Sequence, residues 1–319
     1  MLAGKFFQSI LEVNLVIEHA RAHVLPKPWG VADLGRWSDA RHDGQTIGEI
    51  WYERSGKAGT EPSLLLKLLF ASEPLSIQVH PDDAFARSIG LPRGKTEAWY
   101  ILSAVPEAKV ALGLKQRLTP RQLRDAVNDG SISDLVVWRS VSAGDTIFVP
   151  AGTIHAIGAG LVIAELQQRS DATFRMFDHG RGRELHVERA TAVANAGPAD
   201  FQVGPHRLTD ERALLVTGPH FSFEKIDLPP NSAWCVSAER ETWLLVLGGD
   251  ARIGSFDVAT GDAVFAQSDR VNIDAGATGL VGLVAYTGAG PVADLLQEAG
   301  QPDAAHARRP LAAFMETTR

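Results

Sequence analysis

Short apolar segments recur along the chain, and turn-forming residues separate them. Eight of these segments have the length of β-strands, since each covers four to eight residues. Many short strands divided by turns predict an all-β sandwich or barrel. The predicted strands are residues 63–70, 75–80, 97–102, 146–149, 161–168, 221–226, 242–247 and 280–286.

Patterns typical of helices are few. The best covers residues 120–128, where Thr119 is a suitable N-cap, Pro120 suits the first helical position and apolar residues share one face. A second candidate covers residues 185–194, which contain few turn-forming residues. Helices are therefore expected to be minor elements of a β protein.

The composition changes near residues 195–210, where Gly and Pro recur. The predicted strands before this stretch are rich in His, Gln, Glu, Lys and Arg, whereas those after it are apolar with little obvious chemistry. The simplest interpretation is that the chain forms two β-sandwich modules with different functions. The apolar run 6–16 is interrupted by Glu12 and followed by no cleavage pattern, which favours a helical extension over a signal peptide. The predicted parts are an N-terminal extension (1–24), a domain bearing the candidate chemistry (25–195), a linker (196–210) and a C-terminal β-sandwich domain (211–319).

Composition and charge exclude several classes of protein. Of the 319 residues, 45% are hydrophobic and 22% are charged, which excludes a disordered chain and supplies a sizeable core. The net charge is −7 without a basic block, so neither nucleic acid nor a membrane surface is an expected partner. No run of about 18 uncharged apolar residues predicts a membrane span. The single cysteine, Cys235, cannot form an internal disulfide, which favours a reducing cytoplasm.

The predicted strand 75–80 carries polar residues at alternate positions. Because successive side chains of a strand point to opposite faces, Ser76, Gln78 and His80 share one face, and three apolar side chains share the other. A polar face directed into a barrel needs partners, and a metal ion is one such partner, since imidazole and amide oxygen both have lone pairs. The alternative is a strand edge that faces solvent.

A second polar pair occurs at Lys95 and Glu97, two residues apart and so on one face of a strand. Glu97 could be an anionic metal ligand, with Lys95 beside it to move protons or hold an anion. A surface ion pair, which contributes little to stability, is the alternative.

A more specific pattern covers residues 144–155, where Gly144, Pro150, Gly152 and His155 stand at fixed spacing. It matches the second sequence motif of the cupins, which are jelly-roll barrels in which the His at the end of this turn points into the barrel. A histidine satisfied within the core is the alternative interpretation of His155. The Asn that usually follows four residues later is replaced by Ala159.

The three motifs together resemble one cupin subfamily. Cupins usually supply a His-x-His pair, whereas this chain has Gln78-x-His80, followed by Lys95-x-Glu97. With the Pro-x-Gly-x-x-His turn, this set resembles the type I mannose-6-phosphate isomerases (phosphomannose isomerases) in their short bacterial form. The resemblance runs motif by motif over residues 25–195, and beyond them only the length and β character match. Its opening motifs are Lys27-Pro28-Trp29-Gly30 and Gly48-Glu49-Ile50-Trp51.

The resemblance implies a fold and a cofactor. The fold would be mostly β, with two jelly-roll (cupin-like) β-sandwich modules and a few helices, residues 25–195 being the catalytic cupin domain. The cofactor would be one Zn²⁺ per chain, and imidazole and carboxylate are common zinc ligands. The implied metal ligands are Gln78, His80, Glu97 and His155.

The same resemblance implies catalytic residues. The segment 165–175 matches a family motif whose arginine, here Arg175, is regarded as essential, and Glu165 aligns with an active-site carboxylate. Glu165 is the leading candidate for the base that moves the proton, and Lys95 is an alternative. A structural ion pair is the other interpretation of Arg175, with Asp171 or Asp178 as its partner. The weaker candidates, for substrate contacts, are Ser76 and Lys67.

The implied activity is zinc-dependent interconversion of D-mannose 6-phosphate and D-fructose 6-phosphate in the cytoplasm, with a small sugar phosphate as the partner. Two other classes stay open. One is a metal-dependent cupin of different activity, such as an iron dioxygenase, and the other is a non-catalytic cupin that binds sugar phosphates. An isomerase acting on a different aldose is a third possibility. The oligomeric state is not predicted.

Overall fold

The computed structural model describes residues 16–38, 43–56, 61–200 and 204–300. Strands dominate this part of the chain. They are β1 (Val16–His19), β2 (Arg21–Val31), β3 (Ile47–Glu53), β4 (Leu64–Ala71), β5 (Ile77–Val79), β6 (Glu97–Ala104), β7 (Lys109–Leu114), β8 (Val136–Ser140), β9 (Thr146–Val149), β10 (His155–Ile157), β11 (Leu161–Gln168), β12 (Phe174–Phe177), β13 (His206–Arg207), β14 (Arg212–Thr217), β15 (Phe221–Leu228), β16 (Ala233–Ala238), β17 (Thr242–Ile253), β18 (Phe256–Ala259), β19 (Ala263–Gln267), β20 (Asp269–Thr287) and β21 (Leu296–Glu298). The helices are α1 (Asp83–Ser88), α2 (Pro120–Asp129), α3 (Ile132–Leu135) and α4 (Val187–Val193), with a short 3₁₀ helix at Gly35–Trp37.

Three antiparallel sheets organise these strands. A six-stranded sheet has the order β2-β3-β4-β11-β6-β9, and a five-stranded sheet has the order β12-β5-β10-β7-β8. Apolar side chains from both sheets, such as Trp99 and Leu112, pack between them, so the two form the N-terminal sandwich. The remaining strands, β1 and β13 to β21, form a ten-stranded sheet around a separate apolar core.

The six-stranded sheet is buried on both faces, which explains why β4 is apolar almost throughout. Leu66 and Leu68 share a core with Trp243 and Phe265 of the ten-stranded sheet. The alternate residues of β4, among them Lys67, face the five-stranded sheet and a cavity. The C-terminal module therefore covers the outer face of the sheet that carries Lys67, Glu97 and Glu165.

Helices cover the outer face of the five-stranded sheet, where Ile77 and Val79 pack against Leu123 of α2. The start of α2 is a capping box, in which Thr119 and Gln122 each accept a hydrogen bond from the other's backbone N–H. Helix α2 ends where Gly130 adopts a left-handed conformation with φ of 81°. Both predicted helices are confirmed, since α2 runs one residue beyond the prediction and α4 lies within residues 185–194.

The predicted fold class, mostly β with a few helices, is confirmed, with some differences in detail. The predicted strand 75–80 is shorter, since β5 covers Ile77–Val79, and the predicted strand 280–286 is part of the longer β20 (Asp269–Thr287). No helix in the described part of the chain is long and apolar enough to span a membrane.

The domain boundaries stay a prediction, but two local features bear on them. Residues 16–24, assigned to an extension, form β1 and the start of β2, and β1 pairs with β19 of the C-terminal sheet. At the start of the predicted linker, Ala196 and Gly197 accept backbone hydrogen bonds of 2.8 and 2.9 Å from the N-terminal sandwich. The predicted helix over 6–16 lies outside the described residues except for Val16, which begins β1.

Candidate functional site

The inner face of β5 holds the centre of the candidate site. Gln78 lies directly opposite His155 of β10 on one side and opposite Arg175 of β12 on the other. Directly opposite residues of antiparallel strands point to the same face. The predicted alternation is therefore confirmed for β5, because Ile77 and Val79 pack on the helices while Gln78 faces inward.

Three side chains from both sheets meet below this face. His80, Glu97 and His155 are each 1% exposed, and their ligand atoms lie within 4.8 Å of one another. Nε2 of His80 lies 3.3 Å from Oε2 of Glu97, and Nε2 of His155 lies 3.3 Å from Oε1. The structure thus brings three of the four predicted metal ligands together within reach of one ion.

The hydrogen bonds of these side chains fit a cation. Nδ1 of His80 lies 2.8 Å from the carbonyl oxygen of Ala172, and Nδ1 of His155 lies 2.9 Å from that of Thr153. Because a carbonyl only accepts, each Nδ1 donates, and each Nε2 presents its lone pair to Glu97. Oε2 of Glu97 is buried and accepts no well-aligned hydrogen bond. The lone pair of His80 also faces the ammonium of Lys95, 3.1 Å away, whereas the lone pair of His155 and the carboxylate repel each other unless a cation lies between them.

Burial and local charge keep both histidines neutral. Burial lowers the pKa of His80 to about 3, and the charge of Lys95 adds to this effect. Burial likewise lowers the pKa of His155. Burial acts to raise the pKa of Glu97, but the charge of Lys95 holds it well below its ordinary value. A carboxylate with two neutral imidazoles is the ionic form that binds a divalent metal.

Gln78 borders this triad with its amide. Nε2 of Gln78 lies 3.3 Å from Nε2 of His155, and Oε1 accepts a 2.9 Å hydrogen bond from Oγ of Ser76. The amide nitrogen therefore faces the triad and the oxygen faces Ser76. A half-turn of the amide exchanges its two ends, and the Ser76 hydroxyl can accept as well as donate. The predicted fourth ligand thus needs only a side-chain rotation to offer its oxygen.

Lys95 adjoins the triad and is held firmly in place. Its Nζ lies 2.8 Å from Oε2 of Glu97 and 3.1 Å from Nε2 of His80. The backbone N–H groups of Gly94, Lys95 and Thr96 are all bonded, at 2.8, 3.0 and 2.9 Å. Burial acts to lower the pKa of Lys95, but the charges of Glu97 and Glu165 outweigh it and raise that pKa. The acceptors for the backbone N–H groups of Gly94, Lys95 and Thr96 are, in that order, Asp83 Oδ1, the Pro81 carbonyl and Gln168 Oε1.

A row of directly opposite residues crosses the six-stranded sheet above the triad. It runs from Trp51 through Lys67 and Glu165 to Trp99. Nζ of Lys67 lies 3.5 Å from Oε2 of Glu165 and 4.4 Å from the centre of the Trp51 ring. Nε1 of Trp99 donates a 3.1 Å hydrogen bond to Oε1 of Glu165. A buried base candidate and a buried cation are therefore locked together between two tryptophans.

This pair has altered proton affinities. Burial and the negative charge of Glu97 raise the pKa of Glu165, against the opposing charges of Lys95 and Lys67. Burial lowers the pKa of Lys67, although the charge of Glu165 acts in the other direction. A carboxyl with a raised pKa in a cavity is a candidate for general acid–base work.

Arg175 makes only a loose ion pair. Its Nε lies 3.9 Å from Oδ1 of Asp178 and has no hydrogen bond, while Nη1 donates 2.8 Å to the carbonyl of Glu184. Asp178 is instead bound by both ends of the Arg183 guanidinium. The guanidinium of Arg175 lines the cavity, so the structural pairing considered from the sequence leaves part of it free for other contacts.

Most of these groups line one cavity of about 320 Å³. His80 and His155 lie behind its wall. Sequence reasoning did not single out Lys27, Glu49 and Arg183 as lining residues, although the first two stand in the quoted opening motifs. No signal in the sequence marks Arg183. The predicted site residues that line the cavity are Lys67, Ser76, Gln78, Lys95, Glu97, Glu165 and Arg175.

Comparison with known proteins gives consistent results. No family model matches the chain. The chain is 36% identical over 200 residues to the mannose-6-phosphate isomerase of Streptococcus mutans, an alignment that covers 58% of this chain and 62% of that protein. It is 32% identical over 226 residues to GmuF of Bacillus subtilis, named a probable mannose-6-phosphate isomerase, covering 66% of this chain and 70% of that protein.

Solved structures share the fold over a longer range. The mannose 6-phosphate isomerase of Bacillus subtilis superposes with a TM-score of 0.73 at 24% identity, covering 85% of this chain and 99% of that one. A variant of phosphomannose isomerase from Salmonella typhimurium gives a TM-score of 0.68 at 15% identity, covering 85% and 99%. The sequence match to the Streptococcus mutans relative spans 62% of its length, whereas the fold match extends over nearly the whole Bacillus subtilis structure.

Proposed function

The chain belongs to the mannose-6-phosphate isomerase family, and we propose that it interconverts D-mannose 6-phosphate and D-fructose 6-phosphate. The observation that carries this proposal is the buried triad of His80, Glu97 and His155 at the wall of a polar cavity that Glu97, Lys67 and Glu165 line. A metal-ligand set and an acid–base carboxyl at the same cavity suit an aldose–ketose isomerisation, in which a metal stabilises the developing oxyanion and a base moves the proton.

The cofactor of this proposal is one zinc ion per chain. His80, Glu97 and His155 would hold it, with Gln78 as the fourth ligand after its amide rotates. Two imidazoles and one carboxylate are a common zinc set, and a neutral amide oxygen leaves the site with net positive charge. When bound, zinc would supply Lewis acidity that stabilises negative charge developing on a substrate oxygen.

Glu165 is the base of the proposed reaction. It takes the proton from C2 of the aldose and returns it to C1, which yields the ketose after a second proton moves between the two oxygens. Its raised pKa makes it a better proton carrier than an ordinary carboxylate. Lys95 is the weaker candidate for this step, because its raised pKa keeps it protonated at neutral pH. It serves instead as a fixed positive charge or proton donor near the substrate oxygens.

Arg175, Lys67 and Ser76 bind the substrate in this proposal. Arg175 lines the cavity, and a guanidinium matches phosphate or developing oxyanion oxygens well. Lys67 holds Glu165 through its ion pair, and its charge also faces the cavity.

Cys235 is the single cysteine, and we place the enzyme in the cytoplasm because the chain cannot form an internal disulfide.

A coupled assay tests the proposal. Fructose 6-phosphate formed from mannose 6-phosphate is converted to glucose 6-phosphate and oxidised with NADP⁺, and absorbance reports the rate. We expect turnover that a chelator abolishes and that Zn²⁺ restores. Mannose 6-phosphate binding without turnover would indicate a non-catalytic sugar-phosphate binder. Metal-dependent oxygen consumption with a small organic acid, but no isomerisation, would indicate a dioxygenase.

A further inference from the structure

Trp99 is fully buried between two groups of the site. Its side chain is 0% exposed, and its indole N–H donates a 3.1 Å hydrogen bond to Oε1 of Glu165. Its ring meets the imidazole of His155 edge-on, with centroids 5.5 Å apart. One side chain thus contacts both the base candidate and a predicted metal ligand.

The register of the sheet fixes this contact. Trp99 lies directly opposite Glu165 in the β6–β11 pair, and Lys67 lies directly opposite Glu165 on the other side. Each carboxylate oxygen of Glu165 therefore has its own partner, since Oε1 accepts from Trp99 and Oε2 lies 3.5 Å from Nζ of Lys67. With both oxygens held, the carboxylate cannot rotate freely toward or away from the substrate.

We propose that Trp99 is a positioning residue that fixes the Glu165 carboxylate for proton transfer. This inference rests on the proposed function, because it assumes that Glu165 is the base. The ring contact with His155 sets the carboxylate at a fixed place relative to the metal ligands. A base held in a productive orientation reacts faster than one that must be ordered in each turnover.

The charges around Glu165 determine the expected pH effect. Lys67 faces it from β4 and Glu49 from β3, while Lys95 and Glu97 face it from the segment that begins β6. Trp99 adds a neutral donor that favours the ionised carboxylate. Loss of this donor raises the pKa of Glu165 further, so the base becomes active only at higher pH.

The first test compares two matched substitutions. Trp99→Phe removes the indole N–H and keeps an aromatic ring. Trp243→Phe makes the same change at a second tryptophan, which is also 0% exposed and donates 3.1 Å to a carboxylate, that of Glu241 in the other module. We expect Trp99→Phe to lower kcat about 10- to 100-fold with KM little changed, and to move the acid limb of the rate profile up by about one pH unit.

Trp243→Phe is expected to change neither kcat nor the pH profile. If both variants lose thermal stability but Trp99→Phe keeps the wild-type pH profile and kcat, Trp99 is merely structural and the inference is wrong. If wild type isomerises, and Glu165→Gln abolishes turnover while Trp99→Phe has no effect, the inference fails although the proposed function stands.

The second test does not depend on activity. The ¹H–¹⁵N resonance of the Trp99 indole, assigned by its absence from Trp99→Phe or by through-bond correlation to its own backbone, is followed in the zinc-loaded protein. We expect it to titrate with Glu165 and to move upfield in Glu165→Gln, where the acceptor is neutral, while the Trp243 resonance stays fixed. If the Trp99 indole resonance responds neither to pH nor to Glu165→Gln, the inference is wrong. This result counts even if Trp99→Phe fails to fold.

Discussion

Gln78 and Arg175 lie directly opposite each other in the β5–β12 strand pair. On its other side Gln78 lies opposite His155, so an arginine, an amide and an imidazole form one row across the five-stranded sheet. Because backbone pairing sets this spacing, the arginine stands at a fixed position beside the predicted metal ligands. Substitution of each member of the row should therefore have a distinct effect.

Arg175→Ala should remove activity without removing the metal. Arg175 is not a metal ligand in our proposal, and its guanidinium binds substrate oxygens, so we expect kcat/KM to fall at least about 100-fold. Zinc content measured by mass spectrometry should stay at the wild-type value. Near-normal turnover would contradict the catalytic role of Arg175, and loss of zinc would show that it supports the metal site.

His155→Ala should have the opposite pattern, because it removes a ligand. We expect zinc occupancy itself to fall after dialysis, with activity falling in proportion. His23→Ala, at an exposed position of β2, is the control and should leave both quantities unchanged. A His155→Ala protein that keeps a full complement of zinc would remove His155 from the ligand set.

Gln78→Glu tests the charge of the site. A carboxylate in place of the amide adds one negative charge, so we expect tighter zinc binding and weaker Lewis acidity. Chelator competition should show higher affinity, while kcat should fall by about tenfold. An unchanged affinity for zinc together with unchanged kcat would show that residue 78 does not face the ion.

A stability prediction concerns the C-terminal module, where Arg212 and Glu224 form a buried ion pair. The side chains are 2% and 0% exposed, Nε and Oε2 are 2.9 Å apart, and the Tyr286 hydroxyl also donates to Glu224. Arg212→Ala leaves a buried charge unpaired and should lower the free energy of unfolding by about 3–5 kcal/mol. Denaturant titration measures this loss.

The matched control is Arg252→Ala, which breaks an ion pair with Asp257 whose side chains are 53% and 76% exposed. Exposed pairs contribute about 0–1 kcal/mol, so little change is expected. Equal effects of the two substitutions would contradict the claim that burial makes the Arg212 pair important.

The sequence predicted those parts of the site that depend on local pattern. Alternation grouped Gln78 with Ser76 and His80 on one face, opposite the apolar Ile77 and Val79. Fixed motif spacing marked His155, and the two-residue spacing from Lys95 made Glu97 a candidate. Alternation could not predict which module the Lys67 face of β4 packs against, because β4 is buried on both faces and apolar residues stand on both. That contrast is absent because the C-terminal module packs against the outer face of β4.

Long-range register was the other part that local pattern could not supply. The alignment of Lys67 with Glu165, and of Glu165 with Trp99, depends on pairing between distant strands. Arg183 lines the cavity only because the chain after β12 turns back toward it, where Asp178 binds its guanidinium. These relationships follow from the assembled sheets and have no signature in any one segment.

The location of the bound ion tests the central claim most directly. Diffraction from crystals of the zinc-loaded protein, recorded just above and below the zinc absorption edge, locates the ion by its anomalous signal. We predict one peak per chain, about 2.0–2.2 Å from Nε2 of His80, Nε2 of His155 and an oxygen of Glu97, with the amide oxygen of Gln78 turned toward it. A peak elsewhere, or none at these four side chains, would contradict the account.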